Sequence, residues 1–167
     1  FVQTLITALA IGSLYALMAV GLTLTMTVIK LPNFAHAELI TTGAMGALIV
    51  SINVSSNPLL VIACAALAAG VVAVLAHWAV FRPLAKRKLS TYTMILASFA
   101  LGLILRYIYF LIADRYDLFD KRVAVPQEIW FQNSEITLTN FFFWGVPTSI
   151  GLVILLSLLI NFTALGR

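Results

Sequence analysis

Ionisable side chains divide this chain into long uncharged stretches. Counting histidine, none falls in 1–29, 39–76, 78–81, 89–105 or 136–166. A helix needs about 20 apolar residues to cross a hydrocarbon core about 30 Å thick. The pattern therefore predicts five membrane helices, over 2–29, 34–52, 58–81, 90–113 and 141–163. The first is long, about 42 Å as straight helix. It is either steeply tilted or departs from a simple span in its second half, Gly21-Leu22-Thr23-Leu24-Thr25.

Composition agrees with the pattern. The chain is 62% hydrophobic and 10% charged, with a mean hydropathy of +1.07, whereas a soluble domain is about 45–50% apolar and about 25% charged. A soluble enzyme, a nucleic-acid-binding domain and a disordered tail are excluded. The expected architecture is an all-α polytopic bundle of about five membrane spans, forming one transmembrane domain over 1–167. Cys64 is the single cysteine and lies in an apolar stretch, so it forms no intramolecular disulfide and matches no metal-ligand spacing. The chain begins at Phe1 and stops at Leu165-Gly166-Arg167. Both ends read as cuts, and the chain as a fragment of a longer membrane protein.

Charge sets the expected orientation. Arg82, Lys86, Arg87 and Lys88 cluster between the third and fourth helices with no anion among them, which marks a cytoplasmic loop. The connection 114–140 carries Asp114, Asp117, Asp120, Glu128 and Glu135 against three cations and should face outside. The N-terminus then lies outside, and Lys30 and Arg167 inside. The net charge of +4 reflects cytoplasmic loops rather than an anionic partner.

Small residues recur on one face of the first helix at Ala8, Gly12, Ala16, Ala19, Thr23 and Thr27. The third repeats this at Ala65, Ala69, Ala73 and Ala76, and the second offers Gly43 with Ala47. Such seams allow membrane helices to approach closely.

Two ionisable features stand in or beside the apolar spans. In Lys30-Leu31-Pro32-Asn33-Phe34-Ala35-His36-Ala37-Glu38, Pro32 interrupts one helix and Asn33 is suited to cap the next. His36 and Glu38 point about 200° apart and form no dyad. Glu38 shares its face with Thr41, Thr42 and Met45. The segment reads either as a helix start with acidic dipole compensation or as a polar break in a transporter helix. The other feature is Arg106, on one face with Ser98 and Gly102. It lies about 24 Å along its helix from Ser90, and facing lipid would cost about 2.5–17 kcal/mol at the bilayer centre. It either snorkels outward towards Asp114 or Asp117, or faces the bundle as a clamp or substrate-path charge. Helix counting separates it from Glu38 by roughly 17 Å in depth. No phosphate loop, nucleophile–base set or metal motif is present in the sequence.

Ala10-Ile11-Gly12-Ser13-Leu14-Tyr15-Ala16-Leu17, Gly21-Leu22-Thr23-Leu24 and Asn33-Phe34-Ala35-His36-Ala37-Glu38-Leu39 resemble the N-terminal half of branched-chain amino acid ABC transporter permeases. Phe81-Arg82-Pro83-Leu84, Leu101-Gly102-Leu103-Ile104-Leu105-Arg106 and Leu165-Gly166-Arg167 are similar to the same family. Ala37 stands where that family usually has glycine, and Pro32 is less usual. The resemblance implies a subunit of an ATP-driven importer that hydrolyses nothing itself and carries no cofactor. Its expected partners are a second permease, cytoplasmic ATP-binding subunits, an extracytoplasmic solute-binding protein and the lipid bilayer, with no nucleic acid. It also implies that such a permease continues into a coupling segment and further spans. Urea and short-amide permeases are built alike, and a channel or a non-transporting scaffold are the other classes that fit. Asn33, His36 and Glu38 are the expected hinge near the pathway, and Arg106 the outer-side clamp.

Overall fold

The computed structural model describes residues 1–87, 90–123, 128–133 and 136–162. Lys88, Glu135 and Leu165-Gly166-Arg167 lie outside them. Long helices stand where the charge gaps predict them: α1 (Val2–Ile29), α2 (His36–Asn53), α3 (Pro58–Ala76), α5 (Thr91–Arg115) and α6 (Asn140–Phe162). A short α4 (Arg82–Lys86) continues α3 through a π-helical turn at His77–Phe81. Among the described residues, Val2–Thr27, Pro58–Lys86 and Thr91–Arg115 are long and apolar enough to cross a membrane. The chain forms two compact units, 1–32 with 127–167, and 33–126.

In the first unit α1 runs unbroken, so Gly21 to Thr25 do not interrupt it. It ends where Lys30 takes a left-handed conformation (φ 58°) and donates its N–H to the Met26 carbonyl at 2.8 Å. Pro32 follows, with no N–H to continue the ladder. The stripe withdrawn from solvent is Gln3, Ile6, Ala10, Ser13, Leu17, Val20 and Leu24. The expected seam at Ala8, Gly12, Ala16, Ala19, Thr23 and Thr27 faces outward instead. Small residues permit close approach, but they do not oblige this chain to use that face. On α6 the stripe is Phe142, Val146, Ser149, Val153 and Leu156, and the two helices pack together.

The connection before α6 contains an antiparallel ribbon, β1 (Ile129–Gln132) and β2 (Thr137–Thr139). Gln3 at the start of α1 pairs with it as a backbone amide would. Its side chain donates to the Thr137 carbonyl at 3.2 Å and accepts from the Thr137 N–H at 2.8 Å. Trp130 of β1 stacks on Phe143, ring centroids 5.3 Å apart.

In the second unit α2 and α3 form a close pair. Gly43 and Gly46 meet Cys64, Ala65, Ala68 and Ala69, so the expected α3 seam is used, with Gly46 completing the α2 side. Asn57 caps α3, its side-chain oxygen accepting from the Leu59 N–H at 3.0 Å, with Pro58 at the first helical position. Ser90 caps α5 by accepting from the Thr93 N–H at 3.3 Å. The basic run expected as a loop is helical through Lys86. The widened turn before it, closed by Arg82 N–H to the His77 carbonyl, lies where Pro83 withdraws its N–H from the ladder. The Arg82 guanidinium sits 5.6 Å from the centre of the Trp78 ring.

Burial differs from that of a soluble fold: several hydroxyls are buried beside apolar residues, while many large apolar side chains stand exposed. Ser13, Thr42, Ser51 and Ser98 are buried, and each donates its hydroxyl to a carbonyl three or four residues back, at 2.7–2.9 Å. Leu59 and Leu67 meanwhile stand 79% and 67% exposed. Hydroxyls satisfied within their own helix and large apolar side chains turned outward suit hydrocarbon as the solvent.

A β-carbon at position 46 would lie 2.9 Å from the Ala68 β-carbon, whereas one at position 70 meets nothing within 4 Å. Gly46→Ala is therefore expected to destabilise the detergent-solubilised protein by about 1–3 kcal/mol. Gly70→Ala should be neutral or stabilising by up to about 1 kcal/mol. Thermal unfolding of the two variants side by side checks this.

Candidate functional site

The second unit holds a cavity of about 420 Å³ lined by Glu38, Thr41 and Met45 of α2 and by Arg106, Tyr109, Phe110 and Ala113 of α5. Leu118 and Phe119, from the turn after α5, complete it. That volume lies within the range of small-molecule sites, about 300–1,000 Å³.

The way α2 starts determines how the cavity is built. Asn33 does not cap the helix as expected. Ala35 occupies the cap position without a side-chain bond, and Asn33 makes the turn before it. Its side-chain oxygen accepts from the Ala35 N–H at 3.1 Å, and its carbonyl accepts from the His36 N–H at 3.1 Å. This turn is held against α5 at Ser98, which is 2% exposed. Ser98 accepts from the Phe34 N–H at 3.2 Å while donating to the Ile95 carbonyl. The turn packs closely on Gly102: a β-carbon there would sit 3.5 Å from the Ala35 α-carbon and the Phe34 carbonyl oxygen, in ordinary van der Waals contact. Phe34 meets Phe99 edge-on, centroids 6.3 Å apart.

This contact corrects the expected depth of the two charges. α2 begins level with Ser98, eight residues past the Ser90 cap of α5, an offset of about 12 Å. Counting both helices from a common plane had separated Glu38 from Arg106. The offset brings them to one cavity. Further along, the Thr42 hydroxyl is hydrogen-bonded to the Tyr109 hydroxyl. Beyond that, Leu48, Ala113 and Leu118 close an apolar cluster with Met45 and Ile112 against it. The turn carrying Leu118 is fixed by its N–H to the Ala113 carbonyl at 2.8 Å, with Asp117 left-handed at φ 52°.

The cavity thus has a charged end, at Glu38, Thr41 and Arg106, and an apolar end, at Met45, Ala113, Leu118 and Phe119. Among the described residues the Glu38 carboxylate and the Arg106 guanidinium form no ion pair, with each other or with Asp114 or Asp117. Arg106 is placed instead over the Phe110 ring, 6.0 Å from its centroid. Asn33 and His36 are not among the lining side chains. Among the described residues the buried His36 Nδ1 has no hydrogen-bond partner. Among the described residues no three histidine, cysteine, aspartate or glutamate side chains gather as a metal site would require. Tyr109, Leu118 and Phe119 were not among the expected site residues. Extending the Ser98, Gly102, Arg106 face to Tyr109 and Ala113 at the same helical steps identifies the α5 side of the cavity; Leu118 and Phe119 follow a left-handed turn and carry no periodic signal.

The family model described as the permease component of the branched-chain amino acid transport system matches residues 4–167. No curated protein matches the chain. No solved structure matches it either.

Ser98→Ala removes the acceptor of the Phe34 N–H and is expected to cost about 1–2 kcal/mol. Hydrogen exchange should accelerate at Phe34 and Ala35 while Gly43 to Leu48 keep their protection, read by mass spectrometry on the detergent-solubilised protein.

Proposed function

The chain belongs to the family of permease components of branched-chain amino acid transport systems, and from that premise we propose that it is a membrane-spanning subunit of an ATP-binding-cassette importer that passes branched-chain amino acids across the plasma membrane. The observation that carries the reading is the family match over 4–167, on a chain whose long apolar helices turn their large side chains outward. In this reading the basic end of α4 faces the cytoplasm and the N-terminus lies outside. A second permease completes the path, separate ATP-binding subunits hydrolyse the nucleotide, and an extracytoplasmic binding protein delivers the solute. The turn at Asn33 and His36 acts as the hinge at the inner end of α2, and Glu38 and Arg106 face the path.

The cavity supports a pathway role over scaffolding. A carboxylate and a guanidinium are costly to keep between apolar helices, and side chains that only join helices would be paired with each other. Here both face open space.

Proteoliposomes holding this permease with its partner permease and ATP-binding subunits, and supplied with the binding protein, are expected to accumulate radiolabelled leucine only when ATP is present. Accumulation of urea in place of leucine, or leucine flux without nucleotide, would overturn the reading.

A further inference from the structure

We propose that the cavity of the second unit is a solute site within the permease itself and holds one α-amino acid zwitterion in a defined direction. Glu38 receives the ammonium group, Arg106 the carboxylate, and Met45, Leu118 and Phe119 the hydrocarbon side chain. The inference rests on the importer reading above and adds where, and by which groups, this chain holds the solute.

Three observations carry it. Among the described residues the two charges are opposite and unpaired, yet they line one cavity. A ligand bearing both charges satisfies both at once, through charge-assisted hydrogen bonds. A neutral amide leaves the carboxylate and the guanidinium each without a counter-charge, and a simple carboxylate meets Arg106 but is repelled by Glu38. The cavity is also segregated along its length. From Glu38 to Met45, α2 rises about 10 Å, enough for an extended amino acid with four to five side-chain and backbone carbons in line. The charged end gives way to Met45, Ala113, Leu118 and Phe119, which offer no hydrogen bond beyond a weak thioether acceptor and favour a hydrocarbon tail. Finally, the frame is pre-set. Tyr109 is held by Thr42, Arg106 lies over Phe110, and Ser98 fixes the start of α2, so little ordering remains to be done on binding.

The test uses the assembled transporter in nanodiscs without the binding protein, whose own selectivity would otherwise mask the site. The probes are L-leucine, leucinamide, which lacks the carboxylate charge, and 4-methylpentanoate, which lacks the ammonium. On the unsubstituted transporter each analogue is expected to bind at least about tenfold more weakly than leucine. Glu38→Gln should weaken leucine by a similar factor and leave 4-methylpentanoate no weaker. Arg106→Gln should weaken leucine and leave leucinamide unchanged. That crossed pattern is not produced by a loss of folding, which would lower all three ligands together. Equal binding of the three ligands by the unsubstituted transporter, or leucine affinity unmoved in both variants, overturns the proposal. ATP-driven leucine uptake into proteoliposomes, measured in parallel, separates the two levels. If uptake persists while the crossed pattern is missing, the site fails and the importer reading stands. If the unsubstituted transporter takes up no leucine, the importer reading fails.

Discussion

Within hydrocarbon no water can satisfy a polar group or reward two apolar helices for meeting, so the chain must provide both functions from its own atoms. Most features of this structure follow from that constraint. Buried serines and threonines turn their hydroxyls back to their own helix. Gly46 lets two helices approach where dispersion is the available attraction. Ser98 does two things at once, donating within α5 and accepting from the turn that begins α2. It thereby sets the relative depth of the two helices and brings Glu38 and Arg106 to the same cavity.

The long helices were readable from the sequence because the signal was strong: an absence of charge over stretches that hydrocarbon demands. Pro32 marked the end of the first helix in the sequence, whereas the caps at Asn57 and Ser90 emerge from the structure. The ribbon at Ile129–Gln132 and Thr137–Thr139 was not readable, because strands of four and three residues leave no useful alternation. The α1 seam lies on the outward face of this chain for a different reason. Periodicity identifies a face with small side chains, but the choice between that face and the one through Ala10 and Ser13 depends on the shape of what packs there.

The candidate site shows the same division. Glu38 with Thr41 and Met45, and Arg106 with Ser98 and Gly102, were legible as faces of two helices. That these faces meet was not. Span counting assumes that all helices start at one plane, and the bond between Phe34 and Ser98 breaks that assumption by about two turns of helix. Asn33, a good cap by type, makes the preceding turn instead, and it lies away from the lining of the cavity.

The π-helical turn at His77–Phe81 amounts to one residue inserted into an otherwise continuous helix. Each residue of an α-helix advances the azimuth by about 100°, so everything beyond the turn is rotated by that amount relative to an uninterrupted continuation. The heading of Arg82 and Lys86 is thereby uncoupled from the stripe of Val61, Ala65, Ala69 and Ala73 that α3 turns inward. A single-residue insertion or deletion there can re-aim the charged end of the rod while every contact in the glycine–alanine seam is kept.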